Sequence, residues 1–288
     1  MKTYLVTGGA GFIGTNLVRA LQSAGHQVRV LDNYCAFSFA DRNVVGVEYV
    51  VGDVCSRTDV ERAMNGVAGV FHLAALPRVA YSVEFPYETH MTNVVGTLQV
   101  LLAAKNYGGI KVVLSSSAAV YGDQPTSPLV ETMRPLPLSP YGLHKYESEE
   151  YCRLFNQLYG VPTVVLRYFN VYGPFMDPQG AYALVVGKFL DQRRRGEALT
   201  ISGDGEYYRA YTHVHDIVRA NLLAMESEQV GAGEIINIGS TQPTSVNELA
   251  VLIGGPVVHV APRPGDPRRS EADCTKAHTL LDWHATVQ

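Results

Sequence analysis

Tyr141 and Lys145 stand four positions apart in "SPYGLHKYE" (139–147), between a proline-bearing loop and a run that reads as helix. On a helix, positions i and i+4 share a face, so the two side-chain ends can point into one site. A nearby cation favours phenolate and lowers the pKa of the phenol, which makes the pair a candidate for proton abstraction. Taken alone, the same pair suits a solvated helix face, and the rest of the chain has to choose between these readings.

A second constellation is "YLVTGGAGFIG", which puts Gly8, Gly11 and Gly14 directly after an apolar run and at the opening of a periodic one. Glycines there permit a tight turn, close approach of a pyrophosphate, and close packing of helix on strand. Asp32 ends the next apolar run about 20 residues on, where the dinucleotide fingerprint requires a carboxylate. Such a group accepts hydrogen bonds from ribose hydroxyls and repels a 2′-phosphate, selecting NAD over NADP; beside Asn33 it also fits a turn. Asp53, closing "VGDV", is placed to bond an adenine and equally suits turn chemistry.

The elements that must position these groups follow from an alternation of short apolar runs with longer periodic segments. Strands are expected at 2–7, 27–32, 47–52, 69–74, 111–116 and 162–167, and helices at 12–23, 58–65, 88–107 and 141–159. The pattern predicts an α/β fold, a Rossmann-type doubly wound parallel sheet over residues 1–170. The second helix is expected to open with a capping box from Thr58 to Glu61. Past Asn170, Pro- and Gly-rich connections around 173–180, 203–205, 239–243 and 254–267 separate shorter elements. Helices are expected at 182–195, 215–226 and 246–253, the last opened by a capping box from Ser245 to Glu248. Residues 171–288 are therefore read as a smaller α/β substrate-binding lobe, some of whose strands return to the main sheet. The run "RRR" at 193–195 falls in the last turn of its helix and reads as a solvated terminus.

Lys and Arg total 23 against 27 Asp and Glu, a net charge of −4, which gives no general basic field for nucleic acid. Cys35, Cys55, Cys152 and Cys274 form no CxxC pair and no metal-ligand spacing, so reduced thiols and no metal are expected. The N-terminal apolar run is too short for a signal sequence, and no stretch reaches the ~20 apolar residues of a membrane span. These features predict a cytoplasmic protein with a small-molecule partner.

Several segments together resemble the extended short-chain dehydrogenase/reductase family and, within it, the nucleotide-sugar epimerase/dehydratase branch. They are "TGGAGFIG" (7–14), "HLAA" (72–75), "SSSAAVYG" (115–122), "YGLHK" (141–145) and "RYFNVYGP" (167–174), with "GDGEYYRAYTHVHDI" (203–217) and "RPGDPRRSEAD" (263–273) later. The resemblance implies that Tyr141 is the catalytic base, that Lys145 lowers its pKa and holds the nicotinamide ribose, and that Ser117 binds the reacting sugar oxygen. A free phenol near pKa ~10 is mostly protonated at neutral pH, so this base needs the neighbouring cation. As a strand-end serine, Ser117 also suits local capping.

For NAD the resemblance implies Gly8, Gly11, Phe12, Ile13 and Gly14 at the pyrophosphate, and Asp32, Asn33, Asp53 and Val54 at the adenosine. Leu73, Ala74, Ala75, Asn93, Ser115 and Tyr168 complete that set with Tyr141 and Lys145. Asn93 also reads as a satisfied helix polar group. Ser115, Ser116 and Tyr121 carry no catalytic role, and His144 reads as a helix-surface histidine.

For a UDP-sugar substrate the implied residues are Asn170, Arg209, Arg268 and Ser270, with Ser117 and Tyr141; guanidinium groups match a diphosphate bidentately. The implied reaction is 4-epimerisation through transient oxidation at sugar C4. A dehydratase of the branch carries an acidic stretch where this chain has Ser117-Ala118-Ala119. The small Ser270 implies a pocket that admits UDP-GlcNAc/UDP-GalNAc beside UDP-Glc/UDP-Gal. UDP-glucuronate 4-epimerisation, a dehydratase or decarboxylase, and a non-catalytic NAD-binding regulator are the alternatives. The resemblance also implies a homodimer pairing 88–107 and 141–159, with Leu98, Leu101 and Leu102 facing either the partner or the sheet. Three departures stand out: Pro77-Arg78 after "HLAAL", Ala210 after Arg209, and an end at "LLDWHATVQ", short of the family's C-terminal helices.

Overall fold

A computed structural model describes residues 1–35, 42–176, 185–262 and 268–287. Its centre is a sheet of seven parallel strands: β1 (Thr3–Thr7), β2 (Gln27–Asp32), β3 (Glu48–Val51), β4 (Gly69–His72), β5 (Lys111–Ser117), β6 (Thr163–Tyr168) and, counting on through shorter strands, β11 (Ala232–Ile238). The spatial order is β3-β2-β1-β4-β5-β6-β11, a Rossmann arrangement whose direction reverses between β1 and β4. Both faces are covered, which is why the strands read as nearly unbroken apolar runs. Along β1, Tyr4 and Val6 pack with Leu17 and Leu21 of α1 (Phe12–Ser23) on one face. Leu5 points the other way, to Val60 and Met64 of α2 (Arg57–Met64) and to Leu101.

The long helix expected at 88–107 is three pieces. Pro86 opens α4 (Pro86–His90), a π-type turn spans Met91–Val95, and α5 (Gly96–Asn106) completes the run. Before it comes α3 (Val79–Glu84), which the sequence reading missed; six residues between Pro77 and Pro86 give too little periodicity to detect. The capping box expected from Thr58 to Glu61 is also corrected: Ser56 is the N-cap, and its Oγ accepts the Asp59 N–H at 3.3 Å. The box from Ser245 to Glu248 forms as expected, opening α9 (Val246–Ile253).

Helix α6 (Pro140–Tyr159) lies against β5 and β6, capped by Ser139, whose Oγ accepts the Gly142 N–H at 3.1 Å. After β6 come β7 (Val171–Tyr172), α7 (Val185–Arg194), β8 (Leu199–Ser202), β9 (Tyr208–Ala210) and β10 (Thr212–His213). Residues 182–184 of the expected 182–195 helix lie outside the described residues. Helix α8 (Val214–Glu226) packs on α1, and β11 then joins the main sheet. The remaining elements are β12 (Pro243–Ser245), α9, β13 (Val257–Val260), β14 (Arg269–Ser270) and α10 (Thr275–Leu281). A separate small core, with Phe189, Leu199, Ile201 and Leu249, sits among α7, β8 and α9. Among the described residues no helix is long and apolar enough to cross a membrane, and no cluster of His, Cys, Asp and Glu is arranged to hold a metal.

Candidate active site

A cavity of about 1230 Å³ opens at the carboxyl ends of β1, β4 and β5, the switch point at which sheets of this order take their ligands. Its floor is the turn from β1 into α1. Gly8 has φ +69°, and a Cβ there would lie 2.7 Å from the Ala74 nitrogen; a Cβ on Gly14 would lie 2.2 Å from the Gly8 carbonyl oxygen. Side chains are therefore excluded by the backbone itself. The α1 N-terminus has Gly11 as N-cap and no side-chain cap, so its amides face the cavity with the dipole's positive end, a cradle for a pyrophosphate.

Asp32 closes β2 with Oδ2 accepting the Ala10 N–H at 3.0 Å and Oδ1 accepting the Tyr34 N–H at 2.8 Å. Two backbone bonds fix the carboxylate at the cavity rim while leaving lone pairs for ribose hydroxyls. Asn33 donates to Asp53 Oδ2 at 2.8 Å, and Asp53 Oδ1 accepts the Cys55 N–H at 2.8 Å. Burial works against the Asp53 anion, but these bonds outweigh it and hold the carboxyl below the usual value. Asp53 stands behind Asn33 and does not itself line the cavity.

Asn93 is likewise set back. Fully buried on the π-type turn, it accepts the Leu76 N–H at 2.7 Å and donates to the Leu76 carbonyl at 3.1 Å, clamping the loop after β4. Below that loop a buried chain runs Thr7–His72–Thr97, with contacts of 2.7 and 3.0 Å. Thr97 donates to the Asn93 carbonyl at 2.6 Å, so it accepts from His72 Nε2–H, which leaves Nδ1 to accept from Thr7. Burial, with Lys145 nearby, pulls the His72 pKa down to about 3, so the ring is neutral.

At the far wall, Tyr141 and Lys145 do share one face of α6 and are both buried. The Lys145 ammonium lies 6.0 Å from the Tyr141 ring centroid and donates to the Ser115 carbonyl at 2.8 Å. Desolvation lowers its pKa to about 8, against a smaller opposing pull from Glu149. The Tyr141 N–H donates to Ser82 Oγ at 3.0 Å, so the unforeseen α3 braces the first turn of α6. Ser117 ends β5; its Oγ accepts the Ala119 N–H at 3.1 Å and faces the same cavity. His144, expected on the helix surface, is instead buried edge-on against His90, because it shares the inward arc of α6 with Tyr141 and Ser148.

Tyr168 OH lies 3.0 Å from Ser115 Oγ and receives the Asn221 amide at 2.7 Å; burial pushes its pKa up to about 12. Asn221 was invisible to the sequence reading, although an amide inside the apolar face of "DIVRANLLAM" is a usable signal. Behind Ser117 a buried ion pair joins Arg167 to Glu149 at 2.6 and 2.9 Å, and Glu149 also accepts from Ser116 Oγ at 2.5 Å.

The opposite mouth is made by short strands. β14 pairs with β9 so that Ser270 lies beside Arg209, and both line the cavity with Arg268 and Asn170. Asn170, at φ +37°, donates to the Ala210 carbonyl at 3.2 Å. Arg268 holds Asp204 at 2.7 and 2.9 Å and lies over the Tyr207 ring, exposed to solvent. Residues 263–267 of the arginine-rich loop lie outside the described residues. Every residue assigned above to cofactor or substrate lines this one cavity, except Asp53 and Asn93.

A seven-stranded Rossmann sheet with a glycine cradle, a rim carboxylate and a Tyr-Lys pair on one cavity defines a dinucleotide-dependent protein of the extended short-chain dehydrogenase/reductase type. Residues 4–239 match the NAD dependent epimerase/dehydratase family, and the chain belongs to that family. It is 39% identical over 287 residues to a putative UDP-glucose 4-epimerase of Methanocaldococcus jannaschii, covering 96% of this chain and 91% of the relative. The structure is similar to UDP-glucose 4-epimerase of Thermotoga maritima with UDP-glucose, at TM-score 0.93 and 41% identity over 99% of this chain and 94% of that one. It is also similar to UDP-N-acetylglucosamine 4-epimerase of Methanobrevibacter ruminantium with UDP-N-acetylmuramic acid, at TM-score 0.92 and 35% identity over 99% and 93%. NAD is the cofactor of the family, and the cradle and rim carboxylate fit it.

Proposed function

We propose that this protein is an NAD-dependent UDP-hexose 4-epimerase that accepts UDP-GlcNAc/UDP-GalNAc as well as UDP-Glc/UDP-Gal. The observation that carries the reading is that Tyr141, Lys145 and Ser117 open into the same cavity as the glycine cradle on one side and Arg209, Arg268 and Ser270 on the other. Tyr141 takes the proton from the sugar 4-hydroxyl while Ser117 holds that oxygen, and Lys145 stabilises the phenolate. NAD, when bound, accepts the C4 hydride and returns it. Arg209 and Arg268 hold the diphosphate, leaving the 4-keto sugar free to turn so that Tyr141 reprotonates O4 after the opposite face is presented. In this reading residues after Asn170 form most of the sugar-nucleotide side, and Ser270 leaves room for an N-acetyl group.

The homodimer proposed with this reading pairs α5 and α6. Leu102, Leu154 and Leu158 are exposed there, whereas Leu101 is buried and Leu98 packs against the sheet-facing core. Arg78 supports a second reading, UDP-glucuronate as substrate, because it puts a guanidinium on the cavity wall at the N-cap of α3, next to the loop clamped by Asn93.

Incubation of the purified protein with UDP-GlcNAc, UDP-Glc and UDP-glucuronate separately, with products resolved by NMR, tests both. The first two should each yield the 4-epimer. Turnover of UDP-glucuronate alone would overturn the first reading, and an accumulating keto sugar would overturn simple epimerisation.

A further inference from the structure

The segment after β7 crosses from the C-terminal half of the chain to α1. Asn16, buried one turn into α1, donates from Nδ2 to the Pro174 carbonyl at 2.9 Å as well as to Phe12 O at 3.0 Å. The next residue, Phe175, has φ +68°, a left-handed conformation that a bulky side chain adopts only when its surroundings impose it. Two cations lie near its ring: Arg19 Cζ of α1 lies 4.6 Å from the centroid, and Arg42 Cζ, from the connection between β2 and β3, lies 5.9 Å away. Both distances are within the range of cation–π attraction. Phe175 and Arg42 line the cavity together with Asp32 and Asn33, at the rim where β2 ends. None of these contacts serves the proton-handling wall at Tyr141. They tie three separate stretches of chain across the end of the cavity that Asp32 and Asn33 line.

We propose that Phe175, held by Arg19 and Arg42, is a clamp that retains the bound cofactor. Retention matters to the chemistry proposed above, since release of reduced cofactor between the two hydride transfers strands a keto sugar. The clamp rests on NAD binding, and its test contains no sugar nucleotide, so its failure is distinguishable from failure of the epimerase reading. Ring removal by Phe175→Ala opens the cavity rim; Arg19→Met removes one flanking cation at an exposed position outside the cavity wall.

Each protein is loaded with NADH and diluted into excess NAD, and the decay of bound NADH fluorescence gives the release rate. Thermal unfolding of the nucleotide-free proteins is followed in parallel. Release about tenfold faster in Phe175→Ala and about threefold faster in Arg19→Met is expected, with Arg19→Met unfolding at the wild-type temperature. Release within twofold of wild type in Arg19→Met overturns the stack as the element that holds the ring, whatever Phe175→Ala does. An unchanged rate in a folded Phe175→Ala overturns the clamp altogether.

Discussion

At the Tyr141 end of the cavity the charged side chains are buried and engaged: Lys145 on the Ser115 carbonyl, Glu149 on Arg167 and Ser116. At the other mouth Arg268 and Asp204 are exposed and paired with each other, and Arg209 is half-buried. Breaking a buried pair by removing one partner costs about 3–5 kcal/mol, whereas an exposed pair contributes about 0–1 kcal/mol. The first region cannot rearrange cheaply and the second can. The proton acceptor proposed at Tyr141 needs fixed geometry, while the proposed grip on a diphosphate needs cations that trade one anion for another. The difference follows from where the groups stand: Lys145 on the 20-residue helix α6 packed on the main sheet and Arg167 on strand β6 of that sheet, Arg209 and Arg268 on or beside strands two or three residues long.

The comparison breaks first at Tyr141. In Tyr141→Phe, kcat should fall by about 10³-fold while NAD binding persists, because only the proposed proton acceptor is removed; loss of binding with turnover would make the tyrosine a structural element. Lys145 sharpens it through pH. Its folded pKa of about 8 lies below the unfolded 10.5, so in that window the unfolded chain holds more protons. Wild-type stability should therefore rise relative to Lys145→Met as pH climbs from 8 to 10.5, by a few kcal/mol in denaturant titrations. A flat difference would mean the ammonium is not desolvated.

At the exchangeable end, Arg268→Met should raise KM for the UDP-sugar about ten- to a hundredfold with kcat nearly unchanged, the value of one or two charge-assisted bonds. Smallest of all, Asp204→Asn should leave stability nearly unchanged, because the pair it breaks is exposed. It should lower KM severalfold, since Arg268 no longer has to leave a carboxylate. A raised KM would show that Asp204 orients the arginine instead of competing for it.

The sheet was legible in the sequence because each central strand is an apolar run covered on both faces, and "VVLRYF" betrays even the buried Arg167 by placing one charge within it. The cradle and Asp32 were legible because their spacing is local. For Asp53 the sequence left an adenine contact and a turn role open, and for Asn93 a cofactor role implied by the resemblance and a satisfied helix amide; the fold places Asp53 behind Asn33 and has Asn93 clamp Leu76. The brace of α3 on α6 and the Arg19–Phe175 contact join segments distant in sequence, so no local pattern announces them.

The pairing of β6 with β11 carries a consequence for synthesis. The apolar edge of "TVVLRY" has no partner until Ala232–Ile238 has left the ribosome. At about 5–20 residues per second, several seconds separate the two strands. During that interval a nearly complete cofactor half presents a bare parallel edge, open to pairing with another nascent chain. Expression yield should thus depend on how quickly translation crosses residues 169–231, and chaperones that shield strand edges should matter most in that interval.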